Sequence, residues 1–287
     1  MTQQEIIQRI NEVNETRFKE MNGRSIISVS KLSDFISKPF DKEGQAKKCA
    51  EKGATDPNYK YAGMTAEQII AQWEAKAEES KRYGRLLDDY SEQKFCGTEN
   101  SMMLWKMDNN FDYDERLRAN CLGLDQFWND LTPYQYQFVG REITVYVETP
   151  QGNVVTGRID WLGQSTVTNK LFIVDWKTTD EIKTKSFGGQ TMMGPAFVYD
   201  DCDISKYSIQ VQTYKNALVN TYGLAEDTDV VCAIVNLQKG PVQPSGKNYI
   251  IYTEKVPYSS KTLNAIVDFA IQKRKLLKAI EAEQQQA

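Results

Sequence analysis

Histidine is absent from this sequence of 287 residues. Imidazole metal ligands, histidine general bases and Ser-His-Asp triads are therefore excluded. Any catalysis must rely on carboxylates, lysine, tyrosine, cysteine or a hard metal ion. The five cysteines are scattered and lack a Cys-x-x-Cys spacing, which argues against a disulfide framework and a zinc site. No glycine-rich Walker loop is present, so we expect no ATPase motor.

Long apolar runs are also lacking. No stretch approaches the roughly 18–20 residues of a membrane-spanning helix, and the polar amino-terminal segment is unlike a signal peptide. We therefore expect a cytoplasmic protein without a membrane partner, in the host cytoplasm if a phage encodes it. The net charge of −4 shows no general basic excess. Local basic stripes matter more than this sum for nucleic-acid binding.

Periodicity predicts an α/β (α+β) fold with a central mixed sheet, flanking helices and a helical N-terminal region. Helical patterns cover residues 1–22, 65–95, 112–130, 204–221 and the segment from 260 onward. Alternating or β-branched runs predict strands at 141–148, 154–162, 170–177, 229–237 and 248–256. Ser30 or Ser33 is expected to cap a further helix.

We expect this chain to form one domain. Residues 1–132 would be its mainly helical part, 133–256 its sheet core and 257–287 its C-terminal helix. A segment of about 23 residues, 180–203, separates the third strand from the next helix. Connections of this length are usually functional or disordered. We expect this one to lie beside the active site and to become ordered on DNA, with Lys183 and Lys185 meeting phosphates.

The segment GRIDWLGQSTVTNKLFIVDWKTT (157–179) predicts a strand hairpin that contains two aspartates and a lysine. Side chains alternate along a strand, so Asp175 and Lys177 share one face. Asp160 can reach them from the neighbouring strand, since facing Cβ atoms lie about 5 Å apart. The opposite face would pack under a helix with Phe172, Val174 and Trp176.

Two converging carboxylates repel each other unless positive charge lies between them. Lys177 supplies part of that charge, and Mg²⁺ or Mn²⁺, which favour oxygen ligands, would supply the rest. Such a site suits metal-assisted hydrolysis of a phosphodiester. The alternative is an ordinary salt bridge on an exposed strand, because about one Asp-x-Lys is expected by chance in a chain of this length.

Three motifs in order resemble the RecB-like branch of the PD-(D/E)XK nuclease superfamily. They are Gly157-x-x-Asp160, Asp175-x-Lys177 and Gln210-x-x-x-Tyr214. Upstream, GRLLDDYSE (84–92) fits the first helix pattern of this branch, Gly-x-x-x-His-x-x-x-Glu. SVSKLSDFI (28–36) fits the opening of phage and mitochondrial-maintenance members. A chance match to the whole set is well below about 5%, although motif matches are hypotheses until their context is known.

The resemblance implies a restriction-endonuclease-like core and a DNA exonuclease or endonuclease that depends on Mg²⁺ or Mn²⁺. We expect an exonuclease that acts in recombination, repair or replication. Asp160, Asp175 and the carbonyl of Trp176 would bind metal. Lys177 would be catalytic, and Glu142 would be an accessory acid. The pair that follows on the helix, Gln210 and Tyr214, would brace the site and contact DNA.

The chain departs from the family pattern at one position, where Asp88 replaces the usual histidine. A carboxylate there can still bind Mg²⁺, and Glu92, one turn later, could face the same site. The alternative is that Asp88 points to solvent. No cysteine follows Cys232, so we expect none of the iron–sulfur clusters that some relatives hold.

Two other classes of function remain open. The chain could be a non-catalytic DNA-binding or scaffold protein that keeps the nuclease fold, or an unrelated hydrolase with a carboxylate pair, such as a glycosidase. Retention of both aspartates and the lysine argues against the first, and the lysine has no role in the second. DNA is the expected partner, and a helicase or single-strand annealing protein is possible. Strand polarity stays open.

Overall fold

A computed structural model describes residues 1–21 and 26–284. Its helices are α1 (Gln3–Met21), α2 (Leu32–Ile36), α3 (Lys42–Thr55), α4 (Ala66–Cys96), α5 (Glu99–Asp108), α6 (Glu115–Leu131), α7 (Asp203–Asn216) and α8 (Ser260–Gln284). Its strands are β1 (Ile27–Ser28), β2 (Tyr136–Glu148), β3 (Val154–Ser165), β4 (Leu171–Lys177), β5 (Val230–Val242) and β6 (Lys247–Tyr252). The mixed α/β class, the sheet with flanking helices and the helical N-terminal region are confirmed.

The six strands form one mixed sheet. Five of them follow the order β1-β3-β4-β5-β6, and β2 pairs with the remaining edge of β3. β1–β3 and β4–β5 are parallel, whereas β2–β3, β3–β4 and β5–β6 are antiparallel. β1 and β4 share one edge of β3. β1 pairs there with residues 155–156 and β4 with residues 161–164.

Helices cover both faces of this sheet. On one face, apolar side chains of α1, α7 and α8 pack on β2 and β3 and include Ile10, Tyr214 and Val267. On the other, α4, α5 and α6 pack on the face predicted to lie under a helix. Phe127 of α6, for example, meets Trp176 edge-on at 5.3 Å between ring centroids. Burial on both faces suits the nearly continuous apolar run of β4.

The structure corrects several element predictions. β2, β3 and β5 are longer than expected, and β6 ends at Tyr252. α3 and α5 were not predicted, because each buries very few side chains and so lacks a clear apolar stripe. The capping prediction was wrong. A 3₁₀ turn at Val29–Lys31 leads into α2, whose N-cap is Lys31 without a side-chain hydrogen bond.

The long connection before α7 is folded for most of its length. It contains 3₁₀ turns at Phe187–Gly189 and Gly194–Ala196. The side chains of Ile182, Met192 and Cys202 are buried. The exposed residues of the connection include 183–185, 187–191 and 197–198, and its ordering on DNA stays a prediction. Among the described helices, none combines the length and the apolar character needed to cross a bilayer.

Candidate active site

The site lies where β3 changes partners along one edge. Between the pairings with β1 and β4, residues 157–160 of β3 have no strand neighbour on that edge within the described chain. Helix α7 approaches this gap instead. A Cβ on Gly157 would lie 2.5 Å from Cε1 of Tyr214, so the missing side chain allows the ring to sit against the strand. This close approach is a physical reason for the glycine of the first motif.

Asp160 closes the gap. The flanking pair Trp161–Val174 places Asp160 opposite Asp175. The Trp176 N–H donates to Oδ2 of Asp160 at 2.9 Å. At this position β3 and β4 separate, and the carboxylate of Asp160 takes the place of a backbone carbonyl as the hydrogen-bond acceptor. This bond fixes Asp160 to the backbone beside Asp175.

Asp175 is 1% exposed and has two side-chain partners, one a cation and the other a neutral amide. Nζ of Lys177 lies 2.5 Å from its Oδ2, and Nε2 of Gln210 donates to its Oδ1 at 2.9 Å. The same Gln210 amide reaches the hydroxyl of Tyr214 at 3.1 Å. The three predicted motifs therefore meet at one carboxylate. Gln210 holds the carboxylate directly and Tyr214 contacts it only through Gln210, while the contact of both residues with DNA stays a prediction.

A groove of about 550 Å³ opens beside these residues. Asp88 of α4 and Glu142 of β2 line it together with Asp160, Gln210 and Tyr214. Asp88 therefore faces the site and not bulk solvent. Glu92 does not reach the groove, because its carboxylate pairs with Arg141 at 3.0 Å.

Glu142 has an unusual backbone. Its neighbours in the β2–β3 register place it opposite Asp160, yet its φ is +49°. The left-handed region costs a residue other than glycine about 1–2 kcal/mol. Its carboxylate turns to Arg158, with 2.7 Å between Oε2 and the guanidinium. Strain of this kind is typical of functional sites, which agrees with the prediction of an accessory acid.

The crowded acids shift one another's protonation. Burial and the charge of Asp175 raise the pKa of Asp160 well above its usual range. Burial, followed by the charge of Glu142, raises the pKa of Asp88 to about 6. Burial also raises the pKa of Asp175, although Lys177 opposes this shift.

Lys177 is held as a cation. Burial alone disfavours its ammonium group, but the charges of Asp175 and Asp160 outweigh this effect and raise the pKa of Lys177. The ammonium also lies 4.6 Å from the ring centroid of Tyr207, a favourable cation–π contact. It therefore stands at the site as a hydrogen-bond donor.

Two predicted DNA contacts lie elsewhere. Lys183 and Lys185 are exposed on the connection before α7 and do not line the groove. Lys183 pairs with Glu181, and its backbone N–H donates to Asp203 at 3.0 Å. Their contact with phosphates stays a prediction for the surface outside the groove.

Sequence reasoning missed three residues at the site. Arg158 pairs with Glu142, and Tyr207 lies under Lys177. Arg141 ties α4 to β2 by donating to the carbonyl of Asp88 at 2.8 Å. A signal existed for Tyr207, which precedes Gln210 by three residues on the same helix face. The two arginines had none, since their partners depend on how the strands and helices pack.

The donor set suits a hard cation in its chemistry. Asp160, Asp175 and the main-chain carbonyl of Trp176 offer only oxygen, and Oδ2 of Asp175 is buried with no hydrogen-bond donor besides the ion-paired Lys177. Within residues 1–21 and 26–284, however, no three acidic or cysteine side chains are already arranged as a metal-binding group. Asp88 and Glu142 line the same groove as Asp160 and offer further carboxylate oxygens there.

Comparison with known proteins adds no relative. No protein-family model matches the chain, and a search of curated proteins finds no match either. The resemblance to the RecB-like branch of the PD-(D/E)XK nucleases therefore remains a prediction that depends on the motifs and on the geometry described above.

Proposed function

We propose that this protein is a Mg²⁺- or Mn²⁺-dependent deoxyribonuclease of the exonuclease type, which hydrolyses phosphodiester bonds in recombination, repair or replication. One observation carries the proposal. Asp160 lies opposite Asp175, which pairs with Lys177, and Asp160 also lines an open groove together with Asp88 and Glu142. A structural ion pair would need neither a second aspartate opposite it nor the groove.

Each residue has a role that its surroundings support. Asp160 and Asp175 would hold the cation with the Trp176 carbonyl, and Asp88 and Glu142 would add ligands from the groove wall. A divalent cation bound there would polarise the phosphate and offset its negative charge. Lys177, beside Asp175, would donate to an oxygen that becomes more negative in the transition state. Gln210 keeps Asp175 in place.

Arg158 has a further role in this proposal. Its side chain is 68% exposed at the groove and pairs with Glu142. If Glu142 turns to a cation, Arg158 becomes available for a DNA phosphate, because the guanidinium fork suits phosphate oxygens. Exposed ion pairs of this kind are weak, so exchanging one partner costs little.

The test is a cleavage assay on end-labelled single-stranded and double-stranded DNA with Mg²⁺, Mn²⁺ or EDTA. We expect a product ladder with either cation and none with EDTA. Lys177→Ala should remove it, whereas Lys247→Ala is a matched control, since that lysine pairs with Asp130 outside the groove. If the protein binds DNA but cleaves it under no condition, the scaffold function is favoured instead. If the protein neither binds nor cleaves DNA, both functions are excluded.

A further inference from the structure

A second groove, of about 520 Å³, carries three aromatic side chains and is called here the aromatic groove (Phe40, Trp73 and Phe187). Phe40 and Phe187 are 69% and 82% exposed. The ring centroids of Phe40 and Trp73 lie 6.1 Å apart. Large aromatic side chains that share one exposed surface indicate a ligand-contacting site more than a packing requirement.

Neighbouring contacts hold two of these rings in place. Nε1 of Trp73 donates to the hydroxyl of Tyr61 at 2.7 Å. Phe40 directly precedes Asp41, which caps α3 by accepting from the Gly44 N–H at 2.9 Å. Rings on anchored backbone lose little entropy when a flat ligand stacks on them.

Two lysines and two aspartates line the groove, and their pairing leaves one ammonium group open. Asp201 accepts from the Ser37 hydroxyl and from the Lys38 N–H, both at 3.0 Å, and pairs with Lys206 at 3.0 Å. Asp41 is used by the α3 cap. In the part of the chain that the structure describes, no carboxylate lies within ion-pairing distance of Nζ of Lys38. This ammonium group is therefore available to a phosphate.

Helix α4 links the aromatic groove to the candidate active site. Trp73 lies on its first half, and Ser80, seven residues later, accepts from the hydroxyl of Thr178 at 3.3 Å. Thr178 directly follows Lys177. Seven helical residues rise about 10 Å, the length of roughly three stacked nucleotides.

We propose that the aromatic groove binds unpaired bases of single-stranded DNA about three nucleotides from the phosphate held at Lys177. This inference rests on the proposed nuclease function and narrows its substrate to single strands or unpaired ends. Phe40 and Phe187 offer flat faces to successive bases, and Lys38 meets the backbone between them. Bases inside a duplex stack on each other and present no free face, so they do not enter.

The binding test uses fluorescently labelled oligothymidine and a duplex of the same length, both in EDTA so that no cleavage occurs. We expect tighter binding of the single strand. Phe187→Ala and Phe40→Ala should each weaken it about fivefold or more, by the usual contribution of one stacked base. Phe187→Trp should preserve it. Phe197→Ala is the matched control, because this ring is 65% exposed on the same connection but outside the groove.

A crosslinking test locates the bases. Oligonucleotides that carry one 5-bromodeoxyuridine at successive positions are irradiated on the protein, and the attached peptide is identified by mass spectrometry. Attachment to the peptide of Phe40 or Phe187 supports the proposal, and attachment confined to other peptides overturns it. Equal affinities for the Phe187→Ala and Phe197→Ala variants also overturn it.

Failure of the groove and failure of the nuclease function can be told apart. If Asp175→Ala abolishes cleavage while Phe187→Ala binds single-stranded DNA like the wild type, the nuclease proposal is supported and the proposal for the aromatic groove is contradicted. If Phe187→Ala lowers the affinity for single-stranded DNA although the wild type never cleaves DNA, single-strand binding by the groove is supported and the nuclease proposal is contradicted.

Discussion

Two buried aspartates of this protein have contrasting surroundings. Asp268 of α8 accepts from the Thr149 hydroxyl at 2.6 Å and from the Asn153 amide at 2.8 Å, both neutral donors. Asp175 instead pairs with a lysine and lies opposite a second, half-buried aspartate, and burial raises its pKa. Asp268 joins α8 to the β2–β3 turn, whereas Asp175 and Asp160 weaken the folded state by repelling each other.

This difference teaches how a structural acid is distinguished from a functional one. Neutral donors satisfy a buried carboxylate at little electrostatic cost. Crowded charges are retained only where something else benefits from them, because their desolvation and mutual repulsion oppose folding. The predictions below test whether Asp268 behaves as a structural acid and the pair Asp160 and Asp175 as functional acids.

The largest expected effect is on cleavage. Asp175→Ala or Lys177→Ala should lower the rate by about 10³-fold or more, since each removes a group that acts on the transferred phosphate. Asp268→Asn should leave the rate per folded molecule within about twofold of the wild type. The measurement is the initial rate on labelled DNA, normalised to the folded fraction. Near wild-type cleavage by either site variant would mean that the site is assigned wrongly.

The second effect is on the free energy of unfolding, and it has opposite signs for substitutions at Asp268 and at Asp160. Asp268→Ala should lower the free energy of unfolding by about 2 kcal/mol, because two buried donors lose their acceptor. Asp160→Asn should raise it by about 1 kcal/mol in EDTA, since the amide oxygen can still accept from Trp176 while the repulsion disappears. Urea unfolding measures both. Destabilisation by Asp160→Asn would show that its charge supports the fold.

The third effect is a pH dependence that comes from Asp88. Its pKa is about 6 in the folded chain and about 4 when unfolded, so between these values the folded state binds more protons. Through Asp88, stability should therefore fall by about 1 kcal/mol or more as pH rises from about 4 through 6, and Asp88 adds no further change above about pH 7. Asp88→Asn should remove this part of the fall in EDTA. Parallel profiles for the two proteins would place Asp88 in solvent.

The smallest effect concerns the backbone of Glu142. Glu142→Gly should stabilise the chain by about 0.5–1 kcal/mol, because glycine adopts a φ of +49° without strain. The same change should lower cleavage by removing the accessory carboxylate. Glu142→Gln is the control that keeps the strain and removes the charge. If Gly and Gln unfold at the same urea concentration, the backbone stores no strain there.

Much of the fold and the centre of the site could be predicted locally. Alternation along 170–177 placed Asp175 and Lys177 on one face and Phe172 and Trp176 on the other, and the structure confirms both. The four-residue spacing of Gln210 and Tyr214 placed them on one helix face. Helices α3 and α5 escaped prediction because little of their surface is buried, which leaves a weak periodic signal.

The sequence by itself determined which residues share a strand or helix face, because side-chain direction follows from local backbone geometry. That was enough to unite Asp160, Asp175 and Lys177. Tertiary structure alone decided that β1 and β4 leave a gap along β3, that Glu142 turns toward Arg158, and that Phe40, Trp73 and Phe187 share a groove. These contacts join segments far apart in the chain, and their geometry depends on how whole elements pack, which no local pattern encodes.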